Sequence, residues 1–322
     1  MRRATLATIL LPLLAACSPR ADDQRPLLAV IPKGTTHEFW KAIHAGAAQA
    51  ARELDVRIDW KAAVREDDRE GQIRVVEDFV TRKVAGIVLA PLDDRALVAP
   101  VQEAKRAGIP VVVIDSGLAS QEPISYVATD NENGGRLGAR ELGRLLAGKG
   151  RVILLRYQQG SASTELREKG FLAAMQQEFP GIELVSTNQH GGATTESAYQ
   201  ASENLLVRFR ERVDGIFTPN ESTTMGMLRA LQDQGLAGKV RFVGFDSSAK
   251  LVEALARQEL HGLVLQNPFR MGQLGVRTLV AHLRGEKVPA VQDTGATLAT
   301  PANRDDPAIR TLLVPDLSEL GR

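Results

Sequence analysis

Pro110-Val111-Val112-Val113-Ile114-Asp115 is an unbroken apolar, β-branched run that stops at a carboxylate. A strand wetted on one face alternates apolar and polar residues. A continuous run needs apolar cover on both faces, which a parallel sheet between helices provides. Gly86–Ala90 (GIVLA) has the same character, and so do Leu27–Ile31 and Val56–Trp60 on its N-terminal side. A second series follows: Arg151–Leu155, Ile182–Ser186, Gly215–Thr218, Val240–Phe245 and Gly262–Gln266.

Segments of helical periodicity lie between these strands. Phe39–Leu54 gathers Ile43, Ala47, Ala50 and Leu54 on one face, and Arg69–Lys83 gathers Ile73, Val76, Phe79 and Val80. Later helices are expected over 133–146, 164–179, 195–210, 223–234, 249–257 and 270–283. Gly108, Gly148 and Gly235 stand where helices should end. Strand alternating with helix predicts α/β architecture, as two doubly wound parallel-sheet lobes. Lobe one is expected over 27–129 plus 267–294. Lobe two is expected over 130–266 plus 295–322.

Composition narrows the function. Lys plus Arg number 40 against 39 Asp plus Glu, so nothing resembles the basic stripe that nucleic acid requires. Scattered histidines (His44, His190, His261, His282) show no metal-ligand spacing, and no cofactor fingerprint appears. Gly134-Gly135 and Gly138 do not follow a strand as a dinucleotide site requires. Ser161 and Ser163 have no histidine in a recognisable catalytic motif. Asp115 and Asp246 facing each other like a glycosidase pair is the only enzyme reading, and it is disfavoured. The chain is read as a non-enzyme without cofactor.

The N-terminus bears on location. Arg2 and Arg3 precede an apolar run from Ala4 to Leu14, then Leu14-Ala15-Ala16-Cys17. This describes an export signal and not a membrane span. Leu-Ala-Ala-Cys resembles the bacterial lipobox, which implies a lipid anchor on Cys17, the single cysteine. Residues 18–26 read as a polar tether. The charge run 65–70 reads as a solvated loop entering a helix, with Asp68 as its N-cap.

In open parallel sheets, ligands bind beyond the carboxyl ends of the strands. Those ends carry Lys33, His37, Phe39 and Trp40 after the first strand, then Asp115-Ser116, Pro219-Asn220, Asp246 and Gln266. Polar planar groups, carboxylates and two adjacent aromatics thus recur at one edge.

These residues carry a resemblance. The pair Phe39-Trp40, VVVID at 111–115, VATDN at 127–131, Arg167 in STELREKGF, FTPNE at 217–221, VGFD at 243–246 and LQNPFRMGQLGV at 265–276 are similar to the periplasmic sugar-binding receptors of ABC importers, of the ribose, galactose and allose type. The resemblance implies two lobes joined by three crossovers, with the sugar between them. It implies that Phe39 and Trp40 stack on the ring and that Asp115 accepts sugar hydroxyls. Arg167 would hold ring or hydroxyl oxygens, and Asn220, Asp246 and Gln266 would form the opposite wall. It also implies a permease as partner and a monomeric receptor. His37 and Ser116 depart from the ribose pattern, and an aromatic of that pattern falls near Ala193, so a wider cleft is expected. Pro32-Lys33, Asp115-Ser116 and Pro219 resemble the autoinducer-2 branch, which keeps open a sensor delivering its signal to a chemoreceptor or kinase.

Overall fold

A computed structural model describes residues 24–63, 65–210 and 212–321. The export signal and Cys17 lie outside the described residues.

The chain runs β1 (Leu27–Ile31), α1 (Glu38–Leu54), β2 (Arg57–Trp60), α2 (Arg69–Thr81), β3 (Gly86–Leu89), α3 (Val98–Arg106), β4 (Val111–Ile114) and β5 (Ser125–Ala128). It continues α4 (Asn131–Leu145), β6 (Gly150–Arg156), α5 (Ala162–Glu178), β7 (Ile182–His190), α6 (Thr195–Phe209), β8 (Gly215–Phe217), α7 (Glu221–Asp233), β9 (Arg241–Phe245), α8 (Ala249–Ala256) and β10 (Gly262–Leu265). Last come α9 (Pro268–Leu283), β11 (Val291–Asp293), β12 (Thr297–Ala299), α10 (Pro307–Leu313) and a short turn of 3-10 helix at Ser318–Gly321.

Two six-stranded sheets form, ordered β11-β5-β4-β3-β1-β2 and β12-β10-β9-β8-β6-β7. Pairing is parallel except for β12, which runs antiparallel to β10. The apolar runs behave as their chemistry requires: every residue of β3, β4 and β10 is buried. Each sheet is covered on both faces, by one apolar cluster per face.

The two orders are the same order. β4 and β9 occupy equivalent places, as do β1 and β6. The chain crosses between sheets three times: from β5 into α4, from β10 into α9, and from β11 into β12. After the first two crossings, α4 packs on α5 and α9 packs on α1. Both contacts depend on glycine. A Cβ on Gly135 would sit 1.9 Å from the Arg167 carbonyl oxygen, and one on Gly46 would sit 1.9 Å from that of Phe269. No side chain fits there, so the helices approach backbone to backbone.

One boundary needs correction. Residues 307–313 do pack with the second sheet, through Ile309 and Leu313. The end of the tail instead returns to α1, where Arg52 donates to both carboxylate oxygens of Glu319 at 3.2 and 3.0 Å. A charged surface pair with no hydrophobic pattern gave no periodicity to read.

Among the described residues, no helix is long and apolar enough to cross a membrane, and no cluster of three His, Cys, Asp or Glu is arranged to hold a metal ion.

Candidate functional site

Asp115 and Asp246 follow β4 and β9, the equivalent strands of the two sheets. Both adopt left-handed backbone, φ 61° and φ 69°. That region is costly for a residue with a Cβ and is tolerated best by Asp and Asn. Strain of this kind persists where the surroundings demand a particular side-chain direction. Here both carboxylates are turned into the gap between the lobes.

Arg167, from the first turns of α5, lies between them. Its guanidinium is buried, 3.9 Å from Asp115 Oδ1 through Nη2 and 3.9 Å from Asp246 Oδ2 through Nη1. Nε donates to Asn131 Oδ1 at 2.8 Å and Nη1 to the Pro219 carbonyl at 2.9 Å. The plane rests on the Phe245 ring, 4.1 Å from its centroid. Asp246 accepts from Gln266 Nε2 at 2.6 Å and from the Glu221 backbone N–H at 3.1 Å. Burial pushes the Asp246 carboxyl up, against the pull of Arg167 and Gln266. Lys33 bridges Asp115 (3.0 Å) to the hydroxyls of Ser161 and Ser163, both at 3.3 Å on the opposite lobe.

A second cluster lies beside the first. Glu66 Oε1 accepts from Trp40 Nε1 at 2.6 Å and lies 2.8 Å from His37 Nδ1. Glu66 Oε2 accepts from the Tyr157 hydroxyl, across the gap, at 3.1 Å. Burial opposes a charged His37. The hydrogen bond to Glu66 and the charges of Glu66, Glu221 and Asp246 outweigh it and carry the imidazole to about 9. Glu221, on the far lobe, accepts the backbone N–H groups of Glu38 and Phe39 at 3.2 and 3.1 Å. It thus caps the N-terminus of α1 from outside that lobe. Burial lifts its carboxyl to about 7, against the pull of His37 and those two N–H groups.

Lys33, His37, Phe39, Trp40, Asp115, Arg167, Asn220, Asp246 and Gln266 line one cavity between the lobes. Ser116 is buried but does not line it; its hydroxyl accepts the Ser163 N–H across the interface at 3.1 Å. Asn220 is the N-cap of α7, with Oδ1 accepting from the Thr223 hydroxyl at 2.6 Å. Phe39 and Trp40 meet edge to face, with centroids 4.9 Å apart.

Glu66, Tyr157, Ser163, Thr164 and Glu221 also line the cavity, and sequence reasoning did not place them there. Glu66 corrects an expectation directly: its charge run reads as a solvated loop, yet Glu66 is 7% exposed. Asp68, in the same run, does cap α2 through the Gly71 N–H. No local signal separates the two acids. Glu221 was visible only as the residue following Asn220 in FTPNE.

The cavity is about 30 Å³, room for no more than a water molecule or two. Small-molecule pockets run to about 300–1,000 Å³. The lobes are closed on each other, and a ring-sized solute enters only when they part. Within the closed site, Arg167 Nη2, Gln266 Oε1 and Asn131 Nδ2 are buried without a hydrogen-bond partner. Such atoms are costly in a folded protein unless something else satisfies them.

Two parallel-sheet lobes, three crossings and a polar cavity at the strand ends define a two-lobed solute receptor. The chain belongs to the periplasmic binding protein family, whose domain matches residues 28–287. It is 29% identical over 270 residues to the D-allose-binding periplasmic protein of Escherichia coli, covering 81% of this chain and 86% of that one. It is 28% identical over 292 residues to the ribose import binding protein of Haemophilus influenzae, covering 90% and 96%. Among solved structures, a carbohydrate transporter solute-binding protein from Agrobacterium radiobacter, in complex with D-arabinose, superposes with a TM-score of 0.87 at 34% identity, covering 90% of this chain and 99% of that one. An ABC transporter solute-binding protein from Agrobacterium vitis, with bound D-fucose, gives 0.86 at 32% identity, covering 89% and 100%.

Proposed function

We propose that this protein captures a monosaccharide or similar polyol between its lobes and delivers it to an ABC permease for uptake. The arrangement of Arg167 carries the reading: a buried guanidinium between Asp115 and Asp246, with Nη2 and the neighbouring Gln266 Oε1 lacking hydrogen-bond partners. Vicinal hydroxyls both donate and accept, so they match a set of carboxylates, guanidinium and amide. Phe39 and Trp40 offer apolar surface for the C–H face of a ring. Relatives named for allose and ribose, and neighbours solved with arabinose and fucose, support the same class.

Cavity-lining charges also favour an uncharged ligand. Lys33, His37 and Arg167 stand against Asp115, Asp246, Glu66 and Glu221, with Glu221 only partly ionised near neutrality. No positive surplus is there to attract a sugar acid or phosphate.

Thermal shift with a panel of pentoses, hexoses and polyols tests the proposal. A ligand at 100 times its Kd adds about 2.7 kcal/mol to the folded state. Isothermal titration should then confirm the hit, and scattering should show the lobes drawing together as it binds. A panel that leaves the melting temperature unmoved would count against a sugar.

The receptor acts as a monomer held to the membrane by lipid on Cys17. Replacing Cys17 with Ser should move the protein from the membrane fraction to the soluble one with ligand affinity unaltered. Continued membrane attachment would mean another anchor.

A further inference from the structure

The charge run at 65–70 contains one buried acid, Glu66, that no strand end positions. It lies on the loop between β2 and α2, yet its side chain is seated against the backbone of Gly34, just after β1. A Cβ on Gly34 would fall 2.4 Å from Glu66 Cγ and 2.7 Å from Oε1. Oε1 meets two partners of the same lobe, Trp40 Nε1 at 2.6 Å and His37 Nδ1 at 2.8 Å. Gly34, His37, Trp40 and Glu66 all belong to lobe one, so this grouping does not depend on the lobes being closed. Lobe two adds to it from two adjacent residues. The Tyr157 hydroxyl donates to Oε2 at 3.1 Å, and Gln158 Nε2 donates to the Glu66 carbonyl at 3.1 Å.

We propose that Glu66 is a positioning residue of the binding site: it fixes the indole of Trp40 and the imidazole of His37 within lobe one, and it is the seat on which Tyr157 docks when lobe two closes. The inference rests on the sugar reading for the ring that Trp40 stacks on, and adds the residue that holds the stacking surface still. An indole has one polar atom, its N–H donor. Bound at 2.6 Å, that donor leaves the ring little freedom to turn. Phe39, edge to face at 4.9 Å between centroids, adds an apolar restraint. Trp40 and Glu66 are both buried, so removing the acceptor leaves a buried donor unpaired. A surface held in this way loses less entropy when a ligand arrives.

The test uses the full chain. Its two tryptophans, Trp40 and Trp60, give two indole N–H resonances, and Trp60→Phe assigns them. Glu66→Leu keeps the bulk and removes the acceptor, whereas Glu66→Gln keeps an acceptor. Gly34→Ala leaves every polar group in place and displaces the Glu66 side chain; it serves should Glu66→Leu fail to fold. The Trp40 resonance should shift and exchange faster with water in Glu66→Leu and Gly34→Ala, and stay close to the parent's in Glu66→Gln. D-allose, D-ribose, D-arabinose and D-fucose would be titrated by calorimetry. Whichever of them the parent binds should bind Glu66→Leu and Gly34→Ala about tenfold more weakly. Tyr157→Phe should leave the Trp40 resonance in place and weaken binding through closure alone. A Trp40 resonance indifferent to both Glu66→Leu and Gly34→Ala would overturn the proposal, and so would a shifted resonance with sugar affinity unaltered. If no sugar of the panel binds the parent, the sugar reading falls, and the Trp40 resonance alone decides the role of Glu66.

Discussion

Raising the pH should weaken the closed, folded protein through one side chain, His37. Its Nδ1 lies 2.8 Å from Glu66 Oε1 in a buried setting. Burial works against the imidazolium, but the Glu66 hydrogen bond and the charges of Glu66, Glu221 and Asp246 hold it to about 9, against 6.5 for a free histidine. A raised value means that the folded state binds this proton more tightly than the unfolded chain does. The stabilisation is complete below pH 6.5 and is lost as pH rises through 9. At about 1.4 kcal/mol per unit, the difference amounts to roughly 3 kcal/mol. Glu221 acts in the same direction in a lower window, because its raised carboxyl stabilises below 4.5 and that contribution is lost as pH rises through 7. Urea unfolding from about pH 7.5 to 9 therefore isolates His37, below the range where Tyr126, Tyr157 and Tyr199, all held above the ordinary tyrosine value in the folded state, begin to contribute. His44, His190 and His261 are shifted down and are neutral there. The parent should lose stability across that range, and His37→Gln should start lower and stay nearly flat. The imidazole resonances of His37 should titrate near 9 in the parent and much lower in Glu66→Gln. An imidazole titrating near 6.5, or an equal loss in the His37→Gln protein, would refute the reasoning.

Asp246→Asn and Arg167→Lys should each weaken ligand binding by about ten- to a hundredfold in isothermal titration. A hydrogen bond to a buried charged group contributes roughly 1.5–3 kcal/mol, and Lys cannot reproduce the guanidinium's stacking on Phe245. Affinity unchanged in both variants would move the site elsewhere. Gly135→Ala should destabilise by about 1–3 kcal/mol in thermal unfolding, because its Cβ would lie 1.9 Å from the Arg167 carbonyl oxygen. Gly117→Ala, whose nearest neighbour would be 3.7 Å away, is the near-neutral control.

Much of this architecture is legible in the sequence, and what is not has a common cause. β3, β4, β9 and β10 were readable because burial on both faces leaves an unbroken apolar signature. β5, β11 and β12 are short and carry Ser125, Gln292, Asp293 and Thr297. β11 and β12 become strands only because β5 and β10, well removed in sequence, receive them, and no local pattern records that. α3 begins at Val98, after an N-cap at Leu97 that offers no side-chain bond, and carries Pro100 in its first turn, which blurs its start. At the site, residues directly after strands could be read from position alone. Glu66 and Tyr157 could not: each is buried by a partner on the opposite lobe, and the charge run around Glu66 reads like any solvated loop.

The passage of α9 and β11 back to the first sheet has a consequence for folding order. The second lobe's strands β6 to β10, with α4 to α8, come from one unbroken stretch of chain, and only β12 and α10 are added later. The first lobe has an open face on α1 and an open edge at β5 until residues 268–293 arrive, because α9 packs on α1 and β11 pairs with β5. During N-to-C emergence, the half made first stays unfinished until the main stretch of the second half has been made. Its uncovered apolar face and unpaired strand edge are the features that invite aggregation. Truncation between residues 266 and 293 should leave the second lobe, short only of β12 and α10, attached to a first lobe that cannot close its core.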